Sequence, residues 1–310
     1  MSDAYFLLAP VAVLAILLLF RFVGCAAILD LDEVNYAPAG CRQTILDDAP
    51  VAYWRLQEPS STTIPGGKAK DEKQLKDGTY RTLQLAPDPQ FPDSPAAPGT
   101  LILGVQGSGL LKEGPSTSMK IDGGFVEVPF VNTLHAPSFT IEALVLPEWQ
   151  QNERGFYRTV IESSGDDVLN SPTRGYAIYA GPEDDQNPNS DTVWQVWMGD
   201  ASKWQKVVEA PSQHLKFDRP TYLAVTYNGS LTPPLLLYVY YADISNGLLS
   251  ASASFSYKPK TGTSLLIGIG RNPPNLQLWP FKGRIQEVVV YNKALRIERI
   301  VSHASCFLGL

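Results

Sequence analysis

Residues 119–128 read MKIDGGFVEV. Met119-Lys120-Ile121-Asp122 and Phe125-Val126-Glu127-Val128 each alternate apolar and polar residues, the period of a strand with one buried face. The Gly123-Gly124 pair between them predicts a hairpin. The same pattern extends outward on both sides. Strands are expected at 49–56, 139–146, 175–179, 193–198, 206–208, 222–227, 235–241, 251–257, 264–269 and 284–291. Short strands at this spacing, with turns between them, predict an antiparallel sandwich or barrel. Residues 58–76, with Pro-Gly-Gly at 65–67, and the Pro-rich 88–99 read as loops. Helical character in the soluble part is confined to 295–302, LRIERIVS. Asn228-Gly229-Ser230 satisfies a glycosylation sequon, and it also reads as the natural turn after Thr226-Tyr227.

Composition agrees. The 310-residue chain carries 25 Pro, 24 Gly, 14 Tyr and 6 Trp, a mix suited to many strands joined by turns. Its net charge of -6, without a basic tail, argues against nucleic acid as a partner, since phosphate binding needs clustered Lys and Arg.

Residues 5–29, YFLLAPVAVLAILLLFRFVGCAAIL, are apolar apart from Arg21. A run of about 20 apolar residues suffices for a helix to cross a bilayer, and an arginine near its end can snorkel to the headgroups. The opening MSDA lacks the basic n-region of a secretory signal. Phe22-Val23-Gly24-Cys25 resembles a bacterial lipobox with Phe in the usual Leu place, so a processed lipoprotein acylated at Cys25 stands beside a retained transmembrane helix with Arg21 at the interface. The expected organisation is an anchor at 1–29, a linker at 30–44 and one domain at 45–310.

Cys41 precedes the first expected strand and Cys306 lies near the end. The ends of a compact domain often meet, so the two can form a bridge, which would imply an oxidising, extracytoplasmic compartment. Two unrelated thiols are the alternative.

Five segments occur in a familiar order. They are Ala52-Tyr53-Trp54-Arg55-Leu56-Gln57-Glu58 with Ala69-Lys70-Asp71 and Gly78-Thr79-Tyr80; Leu103-Gly104 to Gly109; Ile121 to Pro129; Ser138-Phe139-Thr140-Ile141-Glu142-Ala143; and Phe281-Lys282-Gly283-Arg284-Ile285-Gln286-Glu287-Val288 with Tyr291-Asn292-Lys293-Ala294-Leu295. Over residues 45–308 the chain resembles a bacterial laminin-G-like domain of the concanavalin A-like lectin/glucanase superfamily. Leu144 stands where a tryptophan is usual and Gln286 where an aspartate is frequent. The resemblance implies an all-β, two-sheet antiparallel jelly-roll sandwich, here preceded by a single transmembrane helix. It also implies that the terminal strands pair, which brings Cys41 near Cys306.

Because the family includes glucanases, catalytic patterns matter. The E-x-D-x-x-E spacing that lines acids along one strand face does not occur, and Glu183-Asp184-Asp185 is contiguous. His135, His214 and His303 lie far apart in sequence without a zinc motif. Gly107-Ser108-Gly109 is no nucleophile elbow, and Gly268-Ile269-Gly270 does not continue into a dinucleotide fingerprint. No catalytic residue is assigned and no enzyme is expected. The resemblance raises Ca²⁺ at a loop rim, with Asp166, Asp167, Asp184, Asp185 and Asp191 as candidate ligands and Asp200 nearby; solvated acidic loops are the alternative, and no other cofactor is expected. Aromatic residues crowd 149–204. Trp149, Trp194, Trp197 and Trp204 are the candidate contacts for a glycan or a protein partner. Trp194 and Trp197 have opposite parity on one strand, so at most one of them faces the core of a regular strand.

Two functions remain in view: an accessory subunit of a larger membrane complex, contacting other membrane subunits, and a cell-surface or periplasmic glycan-binding module. The short linker and the lack of a ligand-grade constellation favour the first.

Overall fold

The central strands of the first sheet are buried on both faces, and this dictates the layering. The computed structural model describes residues 38–82, 100–105, 118–149, 157–164, 173–187, 190–210, 215–241, 248–272 and 277–309. In chain order its elements are α1 (Pro38–Asp47), β1 (Ala52–Trp54), β2 (Lys68–Ala69), β3 (Gly78–Thr82), β4 (Thr100–Val105), β5 (Ser118–Asp122), β6 (Gly124–Val128), β7 (Ser138–Pro147), β8 (Arg158–Glu162), β9 (Tyr176–Pro182), β10 (Thr192–Gly199), β11 (Trp204–Glu209), β12 (Thr221–Asn228), β13 (Leu235–Tyr241), β14 (Leu248–Ala253), β15 (Leu265–Ile267), β16 (Ile269–Asn272), β17 (Gln277–Pro280), β18 (Lys282–Tyr291) and α2 (Ile297–Leu308).

Among the described residues these strands form two eight-stranded antiparallel sheets. The first runs β14-β13-β12-β7-β18-β5-β4, with β1 also on β18; the second runs β11-β10-β9-β8-β15-β6-β3-β2. This is the expected two-sheet antiparallel sandwich. On β7, Ile141, Ala143 and Val145 point into the inter-sheet core, where they meet Tyr176, Ile178, Trp194 and Val196 of the second sheet. Leu144 and Leu146 point the other way and pack under a helical layer with Ile300, Ala304 and Phe307 of α2 and Ile45 of α1.

The expected hairpin at 119–128 does not form. β5 pairs with β18 and β4 in the first sheet, whereas β6 pairs with β15 and β3 in the second. Gly123, at φ +82°, turns the chain from one sheet to the other. A Cβ on Gly124 would lie 2.5 Å from Leu101 Cβ, so the crossing needs glycine at that point too. Two glycines between alternating strands are read locally as a tight turn; here they mark a sandwich corner.

The linker expected over 30–44 gives way to α1 at Pro38, and β14 ends at Ala253 instead of reaching 257. Cys41 and Cys306 form a disulfide between the two helices, with Cα atoms 5.4 Å apart. α2 stops at Gly309, left-handed at φ 62°, whose N–H donates to Ser305 O. Among the described residues no helix is long and apolar enough to cross a membrane. The run 5–29, with Arg21 and Cys25, lies outside them.

The opening and closing motifs are joined to each other. β1 pairs with β18 through Ala52–Val290 and Trp54–Val288. Glu287, fully buried at φ 53°, accepts from the Tyr53 hydroxyl, from Gln57 Nε2 at 2.6 Å and from Arg55 Nε at 3.3 Å. Burial pushes its carboxyl above the usual range, with Arg55 and Tyr53 pulling it back. Asp71 accepts backbone N–H bonds from Tyr53, Lys73, Leu75 and Lys76. These residues tie the opening and closing segments of the fold together.

Candidate functional site

The outer face of the second sheet carries the chemistry. β9 and β10 pair with Tyr179 opposite Gln195 and Ala177 opposite Trp197, which puts Tyr179, Gln195 and Trp197 on that face. Trp194 and Trp197 therefore diverge: Trp194 is wholly buried between the sheets, whereas Trp197 is half-buried on the outside. Tyr157, just before β8, and Trp279 on β17 join it. Tyr157 lies with ring centroids 4.6 Å from Trp279 and 5.8 Å from Trp197, the latter almost perpendicular at 88°. Tyr179 closes the group at 5.4 Å from Trp279 and 6.3 Å from Trp197.

Two glycines make this arrangement possible. A Cβ on Gly181 would meet Tyr157 Cδ1 at 2.7 Å and Cε1 at 2.8 Å. A Cβ on Gly270 would collide with Glu162 and Thr159, so the β16–β17 ribbon can lie flat on the sheet and deliver Trp279. Polar contacts then fix the rings. Trp197 Nε1 donates to Gln195 Oε1 at 2.9 Å, and Gln195 Nε2 donates to Pro182 O at 2.5 Å. The Tyr157 hydroxyl donates to Asp185 at 2.9 Å, and burial together with Asp185 pushes that phenol up. Lys206 Nζ reaches Glu183 O at 2.7 Å, Glu209 at 3.0 Å and Asp185 at 3.3 Å. Burial works against its charge, yet Glu209 and Asp185 carry its pKa above the ordinary lysine value. Beneath the ribbon, Glu162 accepts from the Ser164 hydroxyl and from Tyr179 OH at 3.3 Å.

The result is a half-exposed cluster of three aromatic side chains, Tyr157, Trp197 and Trp279, over a buried polar floor and beside a charged rim. Such a surface offers flat apolar faces with polar edges. The family model described as Concanavalin A-like lectin/glucanases superfamily matches residues 122–301, more than half of the chain. The chain belongs to that superfamily. These three rings, and the buried Tyr179 beside them, lie within the stretch matched to the superfamily. No sequence among curated proteins matches the chain. Among solved structures, domain 4 of AbnA, a GH43 extracellular arabinanase from Geobacillus stearothermophilus in complex with arabinotriose, is 15% identical over 82% of this chain and 98% of that one, with a TM-score of 0.49. A heptameric SAP-like pentraxin from Limulus polyphemus is 13% identical over 55% and 71%, at 0.37. The Trypanosoma rangeli sialidase is 11% identical over 84% of this chain and 33% of its own, at 0.46.

For this superfamily member the other expected sites resolve differently. Trp149 and Trp194 sit in the core, Trp149 edge-on to Phe217 and Phe281 at 5.5 Å, so neither can touch a ligand directly. Trp204 is half-buried at the start of edge strand β11, opposite Gly199. Asp184 accepts from Gln186 N at 2.9 Å, and Asp185 is held by Tyr157 and Lys206. Asp200, in a tight turn, accepts from Ser202 and Lys203, which lowers its carboxyl to about 2. Among the described residues no three His, Cys, Asp or Glu side chains are grouped to hold a metal; Asp166, Asp167 and His214 lie outside them. Trp279 escaped the sequence reading because it lies far along the chain from Tyr157, and only the folded-back ribbon brings them together.

Proposed function

We propose that this protein is a membrane-tethered, extracytoplasmic recognition domain that binds a glycan on the outer face of its second sheet without cleaving it. The observation that carries the reading is the convergence of Tyr157, Trp197 and Trp279, half-exposed and held in place, on one face of a lectin-type sandwich. Binding is favoured over cleavage because the carboxylates at the site are already engaged, Asp185 by Tyr157 and Lys206, and Glu162 by Ser164 and Tyr179. The tether supports the same reading. Only residues 30–37 separate the apolar run from α1, a reach of at most about 28 Å. Because α1 packs with the first sheet, an anchor in the 5–29 run would leave the aromatic face of the second sheet on the far side.

The test is a glycan array followed by calorimetry on the purified chain. Trp197→Ala should weaken binding at least about tenfold, ~1.4 kcal/mol or more, in a sandwich that still unfolds cooperatively. An array on which the native protein captures nothing sinks the proposal. The accessory-subunit reading rests on the apolar run with Arg21 and on exposed Ile297 and Val301 of α2. Stoichiometric co-purification with membrane subunits in mild detergent would favour it, and isolation of the chain alone would remove it.

A further inference from the structure

A second cluster lies on the opposite side of the sandwich, and the glycan reading makes no use of it. His303 of α2 is wholly buried between two carboxylates. Its Nδ1 lies 2.9 and 3.1 Å from the two oxygens of Glu142 on β7, itself wholly buried. Its Nε2 lies 2.9 Å from Asp48 Oδ2, immediately after α1, at ion-pair distance but outside hydrogen-bond alignment. Arg299 of α2 reaches the same Asp48 oxygen through Nε at 2.6 Å and the Thr44 carbonyl of α1 through Nη2 at 3.3 Å. Tyr291 of β18 stacks on the His303 ring at 6.3 Å, and the Tyr222 hydroxyl of β12 faces Glu142.

One ring thus joins three elements: α1 through Asp48, the first sheet through Glu142, and α2 through its own backbone. Protonated, the ring is a cation between two anions; neutral, it keeps one N–H and turns a lone pair toward one of the two carboxylates. Two anions flanking one imidazolium, with Arg299 beyond, form a charge-balanced row. Removing the ring proton leaves the wholly buried Glu142 without a cation beside it, a costly state, while Asp48 keeps Arg299. The helices are tied to each other by Cys41–Cys306, so whatever loosens one from the sheet loosens the pair.

We propose that His303 is a proton-operated latch: protonated, it clamps the disulfide-linked pair α1 and α2 onto the first sheet, and on losing its proton it lets the pair loosen while the sandwich stays folded. Burial opposes the charge on His303, but Glu142 and Asp48 outweigh burial and Arg299, so the clamped ring holds its proton above the ordinary histidine value. Clamping is therefore complete below about pH 6.5, the value of the released ring, and is lost as pH rises through that of the clamped ring.

Amide hydrogen exchange on the oxidised full-length protein between pH 6 and 9, corrected for intrinsic exchange rates, tests this. Protection of residues 297–308 should fall by up to about tenfold per pH unit above about pH 6.5 and then level off, with β12 amides unchanged. His303→Gln should flatten the profile. A pH-independent profile in the native protein, an equal fall in the variant, or parallel loss of protection in β12 would each overturn the latch. Because the variant can fail to fold, the histidine ring signals of the native protein give a second reading. His303 must be more than half protonated at pH 6.5, and titration below that value refutes the proposal.

Discussion

At Gly181 a single hydrogen atom decides whether the aromatic cluster can exist. Its Cβ position is occupied by the Tyr157 ring, so Gly181→Ala should cost about 1–3 kcal/mol by overpacking and weaken glycan binding by displacing Tyr157; chemical denaturation and calorimetry read the two effects. His135 provides a contrasting residue. It is buried against Phe130 at 5.0 Å, and burial lowers its pKa to about 4. The unfolded chain takes up this proton near pH 6.5, so the native state is fully favoured above about 6.5 and loses up to ~3 kcal/mol as pH falls to about 4. His135→Leu should remove that slope from urea titrations, and an unchanged slope would show that carboxylates alone cause it. Neither role was visible in the sequence. His135 and His303 read there as scattered histidines, because only three-dimensional neighbours distinguish an apolar pocket from a pair of carboxylates. Trp197 was half legible: parity on β10 separates it from Trp194, but which of the two faces the core depends on the second sheet.

At the scale of elements, the helical layer explains what the sequence reading caught and what it lost. β13 reads LLLYVYY, apolar at every position, because Leu237 and Val239 face the inter-sheet core while Tyr238 and Tyr240 face the helices. Such a strand demands cover on both sides. The demand was present in the sequence, and the amphipathic stretch 295–302 was half of the answer. α1 was missed because PAGCRQTILD has a weak apolar stripe and opens with Pro-Ala-Gly; packing and the disulfide stabilise it more than propensity does. Gly123-Gly124 misled for a related reason, since local alternation specifies strands but not which sheet each one joins. The helical cover has a direct test. Phe307, 1% exposed and 6.0 Å from the Tyr222 ring, should cost about 3–5 kcal/mol on mutation to Ala, measured by urea denaturation; a loss under 1 kcal/mol would mean that α2 contributes little.

For the molecule as a whole, the order of its five motifs was the most informative signal, and the structure gives the reason: the first and last motifs are one assembly, β1 on β18 with Glu287 gripping Tyr53, Arg55 and Gln57. The disulfide closes the same seam across a sequence separation of 265 residues. Replacing both cysteines with serine should lower stability by about 2–5 kcal/mol, chiefly by freeing the unfolded chain; equal melting temperatures with and without reductant would contradict this. The seam also determines how the protein responds to force. Pulled between its termini, the oxidised chain can pay out only the residues outside Cys41 and Cys306, because tension passes from α1 through the sulfur bridge into α2 and never enters the sheets. An adhesion domain built this way would hold its ligand face undistorted under drag, and it would become extensible only once the bridge was reduced.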